Sequence, residues 1–152
     1  MTGLAEVMDQ HDGNARRALN YAATTKSVVD RSKEPGFCRD SWNPLRDLVN
    51  TGEFLRVGNF KETMDWDDYV AFLTGWAASA EWDCTFQRVT EQDGRVFLQL
   101  EERSTVGEFN SVVNSMSVYE FDDDQKIRRI DVYLQMALPS GDMLSGLSAA
   151  RR

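Results

Sequence analysis

Glu102 carries more potential chemistry than any other residue in the sequence. In RVFLQLEERS, the residues Val96, Leu98 and Leu100 alternate at strand spacing, and Glu102 continues their side. A carboxylate held against apolar walls near a strand end is the kind of group that moves a proton near neutral pH. The alternative is a solvated carboxylate at a strand terminus, since the following RSTVGE is polar. Other reactive residues offer less. His11 is the only histidine and sits in the N-terminal segment, so a triad would need that segment to fold back. Cys38 and Cys84 lack a CxxC spacing and a nearby histidine, which argues against a disulfide framework or a zinc site. Cys84 is expected to face inward and to be inert. The run DDDQ suggests calcium, but an EF-hand loop needs glycine sixth and glutamate twelfth. Counting from Asp122, those places hold Ile127 and Tyr133, so we read a hairpin turn.

Strand parity decides what surrounds Glu102. In KIRRIDVYLQM, one side carries Ile127, Arg129, Asp131 and Tyr133, and the other Arg128, Ile130, Val132 and Leu134. Leu55 with Val57, then Val96, Leu98 and Leu100, then Ile130, Val132 and Leu134 form one aliphatic set. Opposite them lie Arg56, Gln99, Glu101, Arg129 and Asp131. Burying aliphatic area gains about 25 cal/mol per Å², whereas an unpaired buried ion costs several kcal/mol. The aliphatic set is therefore expected to face inward, and Asp131 to face outward in a ladder with Arg56, Glu101 and Arg129. Met116, Val118 and Tyr133 interrupt the outer charges, a mixture that suits a homodimer interface or a wet surface with isolated apolar residues.

The elements that must position these residues follow from local pattern. NARRALNYAATTKSVVDRS predicts a helix from Asn14 to about Ser32, with Ala18, Tyr21, Ala22, Thr25, Val28 and Val29 near one face. Pro35 and Gly36 break it, and SWNPLRDLVN restarts a short helix. GEFLRVG reads as a strand followed by a polar connection. Asp65 then caps a helix in which Trp66, Tyr69, Val70, Leu73, Trp76 and Ala77 share a face. Four antiparallel strands complete the chain, the first pair joined by EQDG, a strong hairpin signal. The class is α+β: three helices in the N-terminal half against a mainly antiparallel sheet. One domain is expected over residues 14–138, with 1–13 flexible and 139–152 frayed.

At 152 residues, the chain has room for a core, and 41% hydrophobic content is too apolar for disorder. A net charge of −8 argues against a nucleic-acid grip or an anionic membrane partner. No apolar run reaches membrane-spanning length, and the N-terminus lacks a signal layout, so a cytoplasmic protein is expected.

With LRDLVNTGEFLRVGNF early and VYEFDDDQKIRRIDVYLQM late, the sequence resembles the nuclear transport factor two-like (SnoaL-like) superfamily. That group includes polyketide cyclases, ketosteroid isomerase and limonene epoxide hydrolase. The resemblance implies a cone-shaped barrel in which a strongly curved sheet wraps helices around an apolar pocket, often dimerising through the outer sheet face. Matched position by position, the chain departs from the familiar catalytic sets. Val132 stands where an acidic residue is common, and Leu55 and Val57 stand where the epoxide hydrolases have Tyr and Asn. Leu100 and Glu102 stand where those enzymes have Arg and Asp, and Ser117 where the isomerase has an oxyanion-binding acid. Glu102 and Ser117 are the polar survivors and the catalytic candidates.

The resemblance implies a cone lined by Tyr21, Trp42, Leu55, Val57, Tyr69, Trp76, Trp82, Leu98, Leu100, Ser115, Tyr119, Ile130, Val132 and Leu134. The hydroxyls of Tyr21, Tyr69, Ser115 and Tyr119 are candidates to orient a substrate, although a buried hydroxyl ordinarily has a backbone partner. The expected function is cofactor-free, metal-free acid–base chemistry on a small apolar molecule: isomerisation, cyclisation, dehydration or epoxide opening. The alternative is a non-catalytic module that holds a hydrophobic ligand or supports a dimer.

Overall fold

The computed structural model describes residues 3–137, so the tail expected to fray from residue 139 lies outside them. Helix α1 (Leu4–Met8) precedes α2 (Gly13–Asp30); a 3-10 turn (Arg39–Trp42) runs into α3 (Asn43–Arg46). Strands β1 (Leu55–Val57) and β2 (Thr63–Met64) lead to α4 (Trp66–Ser79), and β3 (Ala80–Gln92), β4 (Arg95–Val106), β5 (Phe109–Phe121) and β6 (Ile127–Met136) complete the order. The sheet runs β2-β1-β6-β5-β4-β3, antiparallel except where β1 lies parallel to β6. This is the expected α+β class with a strongly curved, mainly antiparallel sheet.

Both ends of α4 and the start of α2 have identifiable partners. The Asp65 carboxylate accepts from the Asp68 amide at 2.8 Å, the predicted cap of α4. At the other end of α4, Lys33 Nζ donates to the Ala77 carbonyl at 2.6 Å and to that of Ala80, while Ser32 Oγ donates to Ala77 at 2.7 Å. A cation there also suits the helix dipole. The first turn of α2 is satisfied from outside: the Ala15 amide donates to Glu91 Oε1 at the end of β3. That bond ties the helix across the sheet to the β3–β4 hairpin. Asp93 and Gly94 both have positive φ there (55° and 76°), the two-residue turn that an Asp-Gly pair favours.

Three features differ from the sequence reading. Residues 4–8, expected to be flexible, form α1, because Leu4 and Val7 have apolar surface to bury and do so against the core. The connection after β1 contains β2, which folds back to pair with β1. In β6, Phe121 pairs with Ile127 and Glu120 with Arg129, leaving Arg128 as an extra residue. That bulge swings Ile127 into the core instead of onto the Arg129 side. Among the described residues, no helix is long and apolar enough to cross a membrane.

Candidate active site

A cavity of about 360 Å³ opens between α2, α4 and the inner face of β1, β4, β5 and β6. Its wall is largely apolar: Leu73 and Trp76 from α4, Leu100 from β4, and Ile130, Val132 and Leu134 from β6. Val132 faces in. Asp131 faces out, where both its carboxylate oxygens accept from Arg129 at 2.9 and 3.0 Å. The two residues sit i, i+2 on one strand, so they must share a face. Gln99 and Glu101 are likewise absent from the wall, and Glu101 pairs with Arg103 at 2.8 Å.

Glu102 lines the cavity. On β4 it lies opposite Cys84 of β3 and Val113 of β5. One carboxylate oxygen accepts from the indole N–H of Trp82 at 2.9 Å, a diagonal contact across β3 and β4 that fixes the side chain. The second oxygen takes no hydrogen bond from a described residue. Burial, and then the charge of Glu102, pushes the Cys84 thiol up to about 11, so it stays protonated and is a poor nucleophile.

The second charge is one the sequence reading placed outside. β1 pairs with β6 so that Arg56 lies level with Ile130, while Leu55 and Val57 lie level with Arg129 and Asp131. Partners directly opposite in a ladder share a face. Arg56 therefore points into the cavity, and Leu55 and Val57 point out. The guanidinium packs 5.0 Å from the centre of the Tyr69 ring. The expected ladder of Arg56 with Glu101 and Arg129 is not formed.

Tyr21, Tyr69 and Tyr119 gather around Arg56. The rings of Tyr21 and Tyr119 meet edge-on at 5.7 Å. Tyr21 is 5% exposed, and its hydroxyl makes no hydrogen bond of normal geometry, although it lies close to Tyr69. Burial, and then the neighbouring Tyr69 and Tyr119, raises the pKa of Tyr21 well above its ordinary value. Tyr119 is also raised, by burial first and then by Tyr69 and Glu102, with Arg56 opposing. Both hydroxyls are therefore protonated donors at neutral pH. Ser117 lies on the wall between Leu98 and Val132. Ser115 faces the same side, but its hydroxyl is sealed in the core without a hydrogen-bond partner and is not on the wall.

No protein-family profile matches the chain, and no curated protein matches it in sequence. Solved structures do match. An NTF2-like protein of unknown function from Cytophaga hutchinsonii ATCC 33406 superposes with a TM-score of 0.57 at 10% identity, over 82% of this chain and 92% of that one. The fold is NTF2-like. An LEH-like epoxide hydrolase of M. tuberculosis superposes at 0.55 with 10% identity, covering 74% and 84% of the two chains. A protein named as a SnoaL-like polyketide cyclase, from Jannaschia sp. CCS1, gives 0.53 at 14% identity over 86% and 90%. At these identities the likeness is one of fold.

Within this NTF2-like cone, ten of the fourteen lining candidates are on the wall or, for Ser115, on its face. Four are elsewhere. Leu55 and Val57 are turned out by the β1 register. Trp42 is 1% exposed in the core below a separate surface cleft lined by Arg39, Arg46, Asp65 and Asp67, because its short helical segment packs away from the cavity. Leu98 is also 1% exposed: on its row the cavity reaches Val132 and Ser117 and stops before Leu98. Sequence reasoning placed Ala22, Thr25 and Leu73 on inward helix faces without naming them as lining residues, and missed Arg56, Phe72, Ser104, Ser111, Val113 and Met136. Phe72 had a signal, since it follows Tyr69 by three residues and stacks on it with ring centres 6.5 Å apart. The DDDQ run forms the expected turn: Asp122 Oδ1 accepts from the Asp124 and Lys126 amides, and Oδ2 from Asn50. Those bonds, led by that from Lys126, hold its carboxyl below the usual range.

Proposed function

We propose that this protein is a cofactor-free enzyme that moves a proton on a small apolar molecule, with Glu102 as the base and then the acid. The observation that carries the reading is the Glu102 carboxylate on an apolar wall, one oxygen held by Trp82 and the other open to a ligand. The open oxygen would take a proton from a carbon next to a carbonyl. The electron pair of the broken C–H bond then moves onto the carbonyl oxygen, and the resulting oxyanion is stabilised by a hydroxyl donor such as Ser117. Return of the proton to another carbon completes an isomerisation; loss of a β-hydroxyl instead gives dehydration. Structural neighbours named as an epoxide hydrolase and a polyketide cyclase support cavity chemistry of this general kind.

A second reading is favoured by one observation. No other carboxylate and no histidine lies on the wall beside Glu102 among the described residues, which suits a module that binds a hydrophobic ligand without turning it over. A panel of apolar enones, β-hydroxyketones and epoxides, assayed in parallel with the native protein and Glu102→Gln, separates the two. The enzyme reading expects turnover that the variant loses. Turnover retained by Glu102→Gln contradicts that mechanism, and binding without turnover supports the second reading.

The outer sheet face now gains Leu55 and Val57 beside Met116, Val118 and Tyr133, the last 60% exposed. This mixed surface supports a homodimer built on that face. Tyr133→Glu is expected to shift the protein towards monomer in sedimentation.

A further inference from the structure

Two charged side chains line the cavity among the described residues, and they do not pair with each other. Glu102 stands level with Val113 and Met136, while Arg56 stands level with Ile130 and Tyr119, six residues away along β5. At about 3.3 Å per residue these rows are well separated even in a curved sheet. Arg56 is partly buried and has no carboxylate partner among the described residues; its visible contact is the face of Tyr69. A guanidinium held against apolar and aromatic groups is costly unless an anion completes it. Beside it, Tyr21 presents a hydroxyl that is more than nine-tenths buried and lacks a hydrogen bond of normal geometry, and Tyr119, whose ring meets that of Tyr21 edge-on, lines the same cavity. A planar fork of N–H donors beside an unused hydroxyl donor matches a carboxylate, which accepts on two oxygens in one plane.

We infer that Arg56, Tyr21 and Tyr119 form an anion subsite, and that the molecule this cavity takes is a flat apolar acid. Its carboxylate docks on Arg56, and its body lies along Leu100, Val132 and Trp76 towards Glu102. The inference rests on the functional reading above for what happens at the Glu102 end, and names the substrate class of the same cavity. Every donor in the subsite would be satisfied only with the ligand in place. An uncharged isostere would leave the guanidinium unpaired.

Calorimetric titration at neutral pH and low salt with 2-naphthoate, against the isosteric 2-naphthamide, tests the subsite without a known substrate. The native protein is expected to bind the acid about tenfold or more tightly than the amide, as charge-assisted bonds to a partly buried site do. Added salt is expected to weaken the acid alone. Arg56→Gln should erase the preference while keeping affinity for the amide, Arg56→Lys should retain part of it, and Tyr21→Phe should lose a few-fold in acid binding. A native protein that binds both probes equally, or neither, overturns the inference. So does a preference that survives intact in a folded Arg56→Gln variant. Turnover plays no part in this measurement, so the subsite and the Glu102 mechanism fail separately.

Discussion

Strands β4 and β1 each deliver one charge to the cavity, and they differ in how firmly the sequence dictates its direction. β4 runs twelve residues and is paired along its whole length with β5. A slip of one residue would turn Val96, Leu98, Leu100 and Glu102 out together, so the penalty for a wrong face is summed over many side chains. β1 has three residues, and its direction is set by two aliphatic side chains against one arginine. Here the tertiary register on β6 prevails: Leu55 and Val57 are partly covered on the outer face, and Arg56 recovers part of its desolvation cost over Tyr69. Parity is a strong argument in a long ladder and a weak one in a three-residue strand.

The largest expected effect tests the β4 end. Glu102→Gln is expected to lower kcat/KM by about a hundredfold to ten-thousandfold, the range a positioned acid–base group supplies, with the melting temperature little changed. A pair of matched substitutions tests the face assignment itself. Val132→Asp puts a carboxylate on the apolar wall and is expected to cost about 3 kcal/mol in chemical denaturation, while Val57→Asp, on the outer face, is expected to cost less than about 1 kcal/mol. Equal costs would erase the distinction between the strands. At the β1 end, Arg56→Gln is expected to abolish the roughly tenfold preference for a carboxylate probe.

The smallest effect concerns the turn that feeds β6. Asp122 has its carboxyl held below the usual range in the folded chain, so its contribution is complete above the unfolded value, near 4. That contribution is lost as pH falls through the lower folded value. Native protein should lose stability over that acid window relative to Asp122→Ala, by no more than about 1 kcal/mol at this half-exposed, solvent-screened site. A difference that persists unchanged at the most acidic pH would contradict the assignment.

Much of the fold was legible because its signals were redundant. The capping Asp65, the seven-residue spacing of Trp66 to Leu73 on one helix face and the Asp-Gly turn each act locally, and each agrees with the element that follows. The inward set on β4 and most of that on β6 followed from period-two burial, and with it came Glu102, Leu100, Ile130, Val132 and Leu134. Illegible features depended on distant partners. The parallel register of β1 is fixed by β6, some seventy residues later. Trp42 looks like any core aromatic until the packing of its segment is known. The bulge that buries Ile127 adds a single residue, invisible to alternation. Glu91 as the partner of the α2 N-terminus joins residues 76 apart, and nothing local announces it.

The most direct measurement is a crystal structure of the complex with 2-naphthoate, read at β1 and at the bound carboxylate. The account predicts Arg56 pointing into the cone beside Tyr69 and meeting the carboxylate, with Leu55 and Val57 outside and the rings of the ligand reaching towards Glu102. Arg56 on the outer face, with Leu55 and Val57 lining the cone, would contradict it.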